Sequence, residues 1–278
     1  MIEIEAPVKE PLLFGKREGT GLEARALSKN YLRRDRSNNF LRRDQRLDVL
    51  DDVAFHVRPF EVVGVVGPSG CGKSTLLELI AGLQKPSIGE ISIGGRLTER
   101  DRLAQCALMP QRDLLLPWRS ALDNAALALE LAGTGRAVAR SQVAPLFERF
   151  GLAGFEQTPP YELSGGMRQR VAFLRTLLAG KPVLLLDEPF GSLDSITRAD
   201  MQEWLRSALV ETPHTVLLVT HDAEEALFVC DRVLVLTSRP GRVRAEFEVD
   251  VPRLAARRET VTSPEFSVLK ELVLEALA

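Results

Sequence analysis

An α/β fold built on a mostly parallel sheet is what this sequence predicts, and three features predict it. Strand-length, almost wholly apolar runs recur in the second half of the chain, PVLLLDEP, HTVLLVTHD and RVLVLTS. Such continuous runs mark strands buried on both faces, which is the signature of a parallel rather than a half-solvated antiparallel sheet. Helix-like segments alternate with them: GGMRQRVAFLRTLLAG, a stretch near Ala199–Leu209, and another from Ala223. Earlier, EVVGVV is followed at once by a glycine-rich turn and by STLLELIAGL with helical spacing, a strand-loop-helix unit.

The remaining elements follow in order. Residues 1–20 are polar, proline-bearing and aperiodic, and read as an extension. Two strand-like runs, LEARALSKNY and LDVLDDVAFHV, flank the charged segment 33–46, RRDRSNNFLRRDQR, whose charge density forbids burial and makes it an exposed loop. After Gly89 come a short strand EISIGG, a second apolar run CALMP, and two helical patterns, ALDNAALALELAG and VAPLFERFGL. The middle of the chain thus reads as a mostly helical insert, and residues 252–278 as a helical tail about one helix long.

Composition narrows the function classes. The 278 residues are 45% apolar, enough for a sizeable core, and the formal net charge of -2 gives no nucleic-acid footprint. No stretch approaches the roughly 18 uninterrupted apolar residues of a membrane span, and the N-terminus has neither the basic start nor the apolar run of a signal peptide. A cytoplasmic location is the expectation. Cys71, Cys106 and Cys230 are odd in number and widely spaced, which argues against a disulfide framework or a zinc site and for reduced thiols.

Chemistry begins at Gly67–Thr75. The segment GPSGCGKST matches GxxxxGK[ST], after a strand and opening a helix as the mechanism requires. Gly67, Pro68, Ser69, Gly70, Cys71 and Gly72 form a loop whose backbone N–H groups can converge on phosphate oxygens, while the helix starting near Lys73 aims its positive end at the same anion. Lys73 supplies a point charge to the terminal phosphates, the Ser74 hydroxyl is placed to ligate Mg²⁺, and Thr75 completes the motif. A thiol at Cys71, near a helix N-terminus, is expected to have a lowered pKa and to react with maleimide unless ATP shields it.

VLLLDEP at Val183–Pro189 ends a strand in two adjacent carboxylates. Ligands of open parallel sheets sit beyond the C-terminal strand ends, so Asp187 fits a Mg²⁺-holding acid and Glu188 a general base that orients an attacking water.

LSGGMRQR at Leu163–Arg170, some 20 residues before VLLLDEP, resembles the signature of ABC transporter ATP-binding subunits. Other motifs of that family follow in order over roughly Gly21–Val251. Gln111 in MPQRD resembles the Q-loop, Ser192-Leu193-Asp194 the D-loop, His221 in VTHDAEEA the switch histidine, and Tyr31 in LSKNY the aromatic that stacks on adenine. The resemblance implies the P-loop NTPase core of the ABC ATPase type: a mostly parallel sheet flanked by helices, an antiparallel β subdomain, and a helical subdomain over about 112–180. It also implies ATP and Mg²⁺ as ligands, with Ser74, Gln111 and Asp187 at the metal and Lys73, Glu188 and His221 in catalysis. In the head-to-tail dimer it implies, Leu163, Ser164, Gly165 and Gly166 face the other copy's ATP. Ser164-Gly165-Gly166 before a helical run equally suits an N-cap.

The strings RDLLLPWRSALDNAALALEL, FGSLD and LTSRPGRV are similar to the nitrate/sulfonate/taurine importer group of that family. That likeness implies integral membrane permease subunits as partners, a substrate-binding protein acting indirectly, no nucleic acid, and a peripheral position on the inner face of the cell membrane. An exposed Leu115, Leu116 and Trp118 cluster is the expected permease socket; packing inside the helical insert is its alternative. A family ATPase working without a permease, and a nucleotide-binding regulator that does not hydrolyse, are the rival readings.

Overall fold

The computed structural model describes residues 19–33, 45–191, 193–251 and 257–278. In chain order the strands are β1 (Leu22–Arg33), β2 (Gln45–Val57), β3 (Val62–Val66), β4 (Ile88–Ile93), β5 (Cys106–Met109), β6 (Val183–Asp187), β7 (Thr215–Thr220), β8 (Arg232–Leu236) and β9 (Val243–Glu248). The helices are α1 (Lys73–Ala81), α2 (Glu99–Gln105), α3 (Ala121–Leu131), α4 (Arg136–Arg149), α5 (Gly165–Leu178), α6 (Ser195–Glu211), α7 (Ala223–Val229), α8 (Arg257–Val261) and α9 (Pro264–Leu277).

One sheet has the order β5-β6-β7-β3-β8-β9, with parallel neighbours from β5 to β8 and an antiparallel β9 at the edge. The other is antiparallel, with β1 between β2 and β4. Every residue of β3, β7 and β8 is buried, because side chains alternate between two apolar layers. Val63, Val65, Leu185, Leu217 and Val219 pack with α1 and the antiparallel sheet. Val66, Leu184, Leu186, Val216 and Leu218 pack with α5, α6, α7 and α9 through residues such as Phe173, Leu205, Leu227 and Phe266. Full burial on both faces is why these strands lack polar alternation.

Helix starts follow from local chemistry. Ser120, Ser164, Asp194, Asp222 and Ser263 each accept a backbone N–H from the first turn of α3, α5, α6, α7 and α9. Such a cap contributes about 1 kcal/mol. The N-cap of α1 is Gly72, which offers no side chain.

Three elements go beyond the sequence reading. Thr98 caps α2 by accepting from Asp101 N, a short helix hidden in a charged stretch. Strand β9 alternates half-buried and exposed residues in the pattern VRAEFE. The tail holds two helices, not one, joined at Thr262-Ser263. Of the charged segment 33–46, expected to be a loop, Arg33 ends β1 and Gln45-Arg46 open β2, whereas 34–44, like the N-terminal extension up to residue 18, lies outside the described residues. Among the described residues no helix is long and apolar enough to cross a membrane.

Candidate active site

Parallel register sets the site. Val66 pairs with Thr220 and Asp187 with Val219, so the segments that follow β3, β6 and β7 leave the sheet at the same edge. These carry the 67–75 loop, Glu188 and His221.

The loop is shaped by close packing as well as by conformation. Gly72 has φ 112°, and a Cβ there would stand 2.8 Å from Leu50 Cδ2. A Cβ on Gly67 would stand 2.9 Å from Cys71 Sγ. Lys73 is buried, and its Nζ donates to the carbonyls of Gly67 (2.7 Å) and Pro68 (3.1 Å), so the ammonium lies within the curve of the loop. Pro68, Ser69, Gly70 and Ser74 are exposed, Thr75 partly so.

Next to it, Ser74 Oγ donates to Asp187 Oδ1 at 3.2 Å. Burial raises the Asp187 carboxyl above its usual range, partly offset by that hydroxyl. Hydroxyl and carboxylate are the hard oxygen donors that suit Mg²⁺, which binds through one or two protein ligands and fills its remaining positions with water and substrate phosphate. The described residues hold no cluster of three or more His, Cys, Asp or Glu that could cage a metal.

Glu188 is the point of convergence. Its Oε2 accepts from Gln111 Nε2 at 3.0 Å and lies 3.4 Å from His221 Nδ1. Its backbone N–H donates to Val219 O at 2.8 Å, and its φ is +44°, the left-handed region that a non-glycine residue rarely occupies. Strain of that kind costs on the order of 1–3 kcal/mol and persists where surrounding contacts over-determine it, commonly at functional sites. Three loops from separate strands thus meet on one carboxylate oxygen.

Other expected residues lie elsewhere. Ser164 caps α5 by accepting from Met167 N, and Leu163 is buried. A Cβ on Gly165 would stand 3.0 Å from Leu193 Cδ2, and one on Gly166 2.9 Å from Thr197 Cγ2, so both glycines admit α6 and the turn before it. Leu193 is buried in that contact, and Asp194 accepts the N–H groups of Ile196 and Thr197. Among the described residues no hydrogen bond joins Leu163–Gly166 to the 67–75 loop. Ser192 lies outside them. Tyr31 donates to Gln84 Oε1 at 2.7 Å, beyond the far end of α1 from Lys73, and Lys29 Nζ sits 5.0 Å from its ring centroid.

Two expectations are corrected. Cys71 is buried at 1% exposure, and loss of hydration pushes its thiol pKa up, against the pull of Lys73; the helix N-terminus does not make it a reactive thiolate. The apolar socket is also differently composed. Leu115 is only 8% exposed and belongs to the core, and Leu116 is half-buried, whereas Trp118 (77%) and Leu114 (59%) stand out.

Supporting residues that motif matching passed over hold the 111–119 segment. Arg175 donates to the carbonyls of Asp113 (2.5 Å) and Leu114 (2.9 Å), and Arg168 Nε lies 3.2 Å from Asp113 Oδ2. Both arginines are on α5, so the Gln111 loop is tied to the helix that Ser164 opens. Asn124, fully buried, accepts from Leu116 N and donates to the carbonyls of Leu116, Arg119 and Ser120. Two arginines seven residues apart on one helix carry no partner information in sequence alone.

The comparisons with known proteins agree with this geometry. The sequence profile of the ABC transporter family matches residues 50–191. The taurine import ATP-binding protein TauB of Rhizobium johnstonii is 46% identical over 226 residues, covering 80% of this chain and 86% of its own length. The aliphatic sulfonates import ATP-binding protein SsuB 1 of Rhodococcus jostii is 52% identical over 192 residues, covering 69% of this chain and 74% of its own. Among solved structures, a dimeric ATP-binding cassette in a post-hydrolysis state bound to ADP and phosphate superposes with a TM-score of 0.69 at 28% identity, over 82% of this chain and 98% of that one. With a phosphate-type loop, paired strand-end carboxylates and this likeness all present, the chain belongs to the ABC transporter family and is one of its ATP-hydrolysing, ATP-binding subunits.

Proposed function

We propose that this subunit powers the uptake of a small anionic or sulfonate/nitrate-like solute, bound peripherally beneath integral membrane permease subunits on the inner face of the cell membrane. The importers named for its relatives support the direction and the class of cargo. Trp118 and Leu114, exposed beside the Gln111 loop, are the apolar contact offered to the permease. A substrate-binding protein would deliver the cargo and never touch this chain.

The meeting of Gln111, His221 and Glu188 on one oxygen carries the catalytic reading. In it, the 67–75 loop and Lys73 hold the phosphates, and Glu188 orients water and accepts its proton. His221 and Lys73 stabilise charge on the transferring phosphoryl group. Ser74 and Asp187, with Gln111 beside them, would hold Mg²⁺, whose chemistry is to neutralise the phosphate oxygens. Leu163–Gly166, with Ser192-Leu193-Asp194, would complete the site of a second copy. The N-terminus of α5 has the helix dipole to offer an anion, and the dimeric neighbour supports the pairing.

Glu188→Gln is the test. ATP binding should persist while turnover falls by about 10²–10⁴, the range for loss of a general base. Normal turnover in that variant removes Glu188 from the role. For the transport reading, co-purification of a polytopic membrane protein and ATPase stimulation by a sulfonate-loaded binding protein in proteoliposomes are expected; a fully active subunit that never associates with membranes overturns it.

A further inference from the structure

The turn between β8 and β9 carries the string SRPGR, to which the catalytic reading gives no role. It is closed on itself: Thr237 N donates to Arg242 O (2.9 Å), Arg242 N to Thr237 Oγ1 (3.0 Å), and Thr237 Oγ1 to Pro240 O (3.1 Å). Arg239 takes no part in that closure. Its side chain is exposed and reaches across to donate from Nε to the carbonyl of Gly70 at 3.1 Å.

Gly70 sits at φ +77°, and its peptide with Cys71 is thereby fixed at both ends: the carbonyl accepts from Arg239, and Cys71 N donates to Pro68 O (3.3 Å). Because the peptide unit is planar, holding its C=O also sets the direction of its N–H. The next carbonyl, Cys71 O, abuts Gly241, where a Cβ would stand 2.4 Å away. Gly241 is itself anchored to β2, donating to Val49 O (2.9 Å) and accepting from Asp51 N (3.0 Å), while Arg242 pairs with Asp51. Successive peptides of the 67–75 loop are therefore backed by one turn that is braced against the antiparallel sheet.

We propose that the Thr237–Arg242 turn is a strap that sets the shape of the phosphate loop for the nucleotide, with Arg239 as a positioning residue acting through the Gly70 carbonyl. The proposal rests on Gly67–Thr75 being that loop. Effects should appear in nucleotide affinity rather than in the chemical step, because the hydrogen bond is made to the cradle and not to Glu188 or its water.

Arg239→Met keeps the stem and removes the donor; Arg239→Lys keeps a cationic donor of similar reach. With the full chain, Arg239→Met should weaken ADP binding about twofold to tenfold, the net worth of one solvent-exposed hydrogen bond, and raise KM for ATP by the same factor. Its kcat should stay within about twofold and its nucleotide-free melting temperature should be unchanged, while Arg239→Lys recovers most of the affinity. Wild-type ADP affinity in Arg239→Met, or a loss confined to kcat, overturns the strap. Lys73→Ala separates the two levels. Lost ADP binding there with none lost in Arg239→Met sinks the strap alone, whereas intact binding in Lys73→Ala sinks the loop assignment and the strap with it.

Discussion

At the scale of single residues, Glu225 has a distinctive environment. It lies in the first turn of α7, is almost fully buried, and its Oε2 accepts from Gln202 Nε2 at 3.4 Å. Burial, reinforced by the charge of Asp222 and only partly offset by Thr220, Gln202 and Arg198, pushes its carboxyl from 4.5 up to about 8. A carboxyl raised in this way stays protonated in the fold while the unfolded chain ionises. Stability is therefore unaffected below pH 4.5 and is lost steadily as pH rises toward about 8, where the folded group ionises as well. Each pH unit in that window costs about 1.4 kcal/mol. Glu225→Gln, which mimics the neutral acid, should accordingly raise the urea midpoint at pH 8 and leave it nearly unchanged at pH 5. An equal effect at both pH values would exclude a neutral Glu225. Cys71 gives the contrasting lesson: its neighbours in sequence suggest a reactive thiolate, and burial reverses the sign.

Among elements, the 111–119 segment and α5 behave as one construction. Asp113 and Leu114 are held by Arg168 and Arg175, and Leu116 by both faces of the Asn124 amide. A loop with so few apolar anchors is ordered by these polar contacts. Asn124→Ala takes the amide partner from the part-buried Leu116 N–H and Arg119 carbonyl, which should cost about 1–3 kcal/mol. Limited trypsin cleavage at Arg112 and Arg119 should accelerate more than global unfolding does; equal acceleration would show that Asn124 supports the whole fold and not the loop. Because the same loop carries Gln111 to Glu188 at one end and exposes Trp118 at the other, its attachment to α5 links the carboxylate site to the apolar surface patch.

Over the whole molecule, distant segments are joined by Arg232, fully buried at the start of β8. Its guanidinium donates to both oxygens of Glu61 (2.8 and 3.0 Å), to His56 O (2.6 Å) and to Glu246, tying β2, the residue that precedes β3, and β9 together. Burial alone would raise the Glu61 carboxyl, but Arg232 and the N–H of Arg58 hold it below its usual value. Arg232→Ala should destabilise by about 3–5 kcal/mol, because it strands a buried carboxylate. The double variant Glu61→Gln with Arg232→Met should recover much of that loss in denaturant unfolding. No recovery would mean that packing rather than charge dominates.

The sequence by itself determined the parallel core, because strands buried on both faces must be apolar throughout, and it determined the phosphate loop, whose chemistry is local: Gly72, Lys73 and Ser74 act within one strand-loop-helix turn. The paired acids at Asp187-Glu188 were legible for the same reason. Tertiary structure alone decided what depends on partners distant in sequence. It put Gln111 and His221 on Glu188, sent Leu115 inward and left Trp118 outside, raised rather than lowered the Cys71 thiol, and laid Arg239 on Gly70. Desolvation and long-range hydrogen bonds are fixed by which surfaces meet, and a linear pattern holds no record of that until the chain has folded.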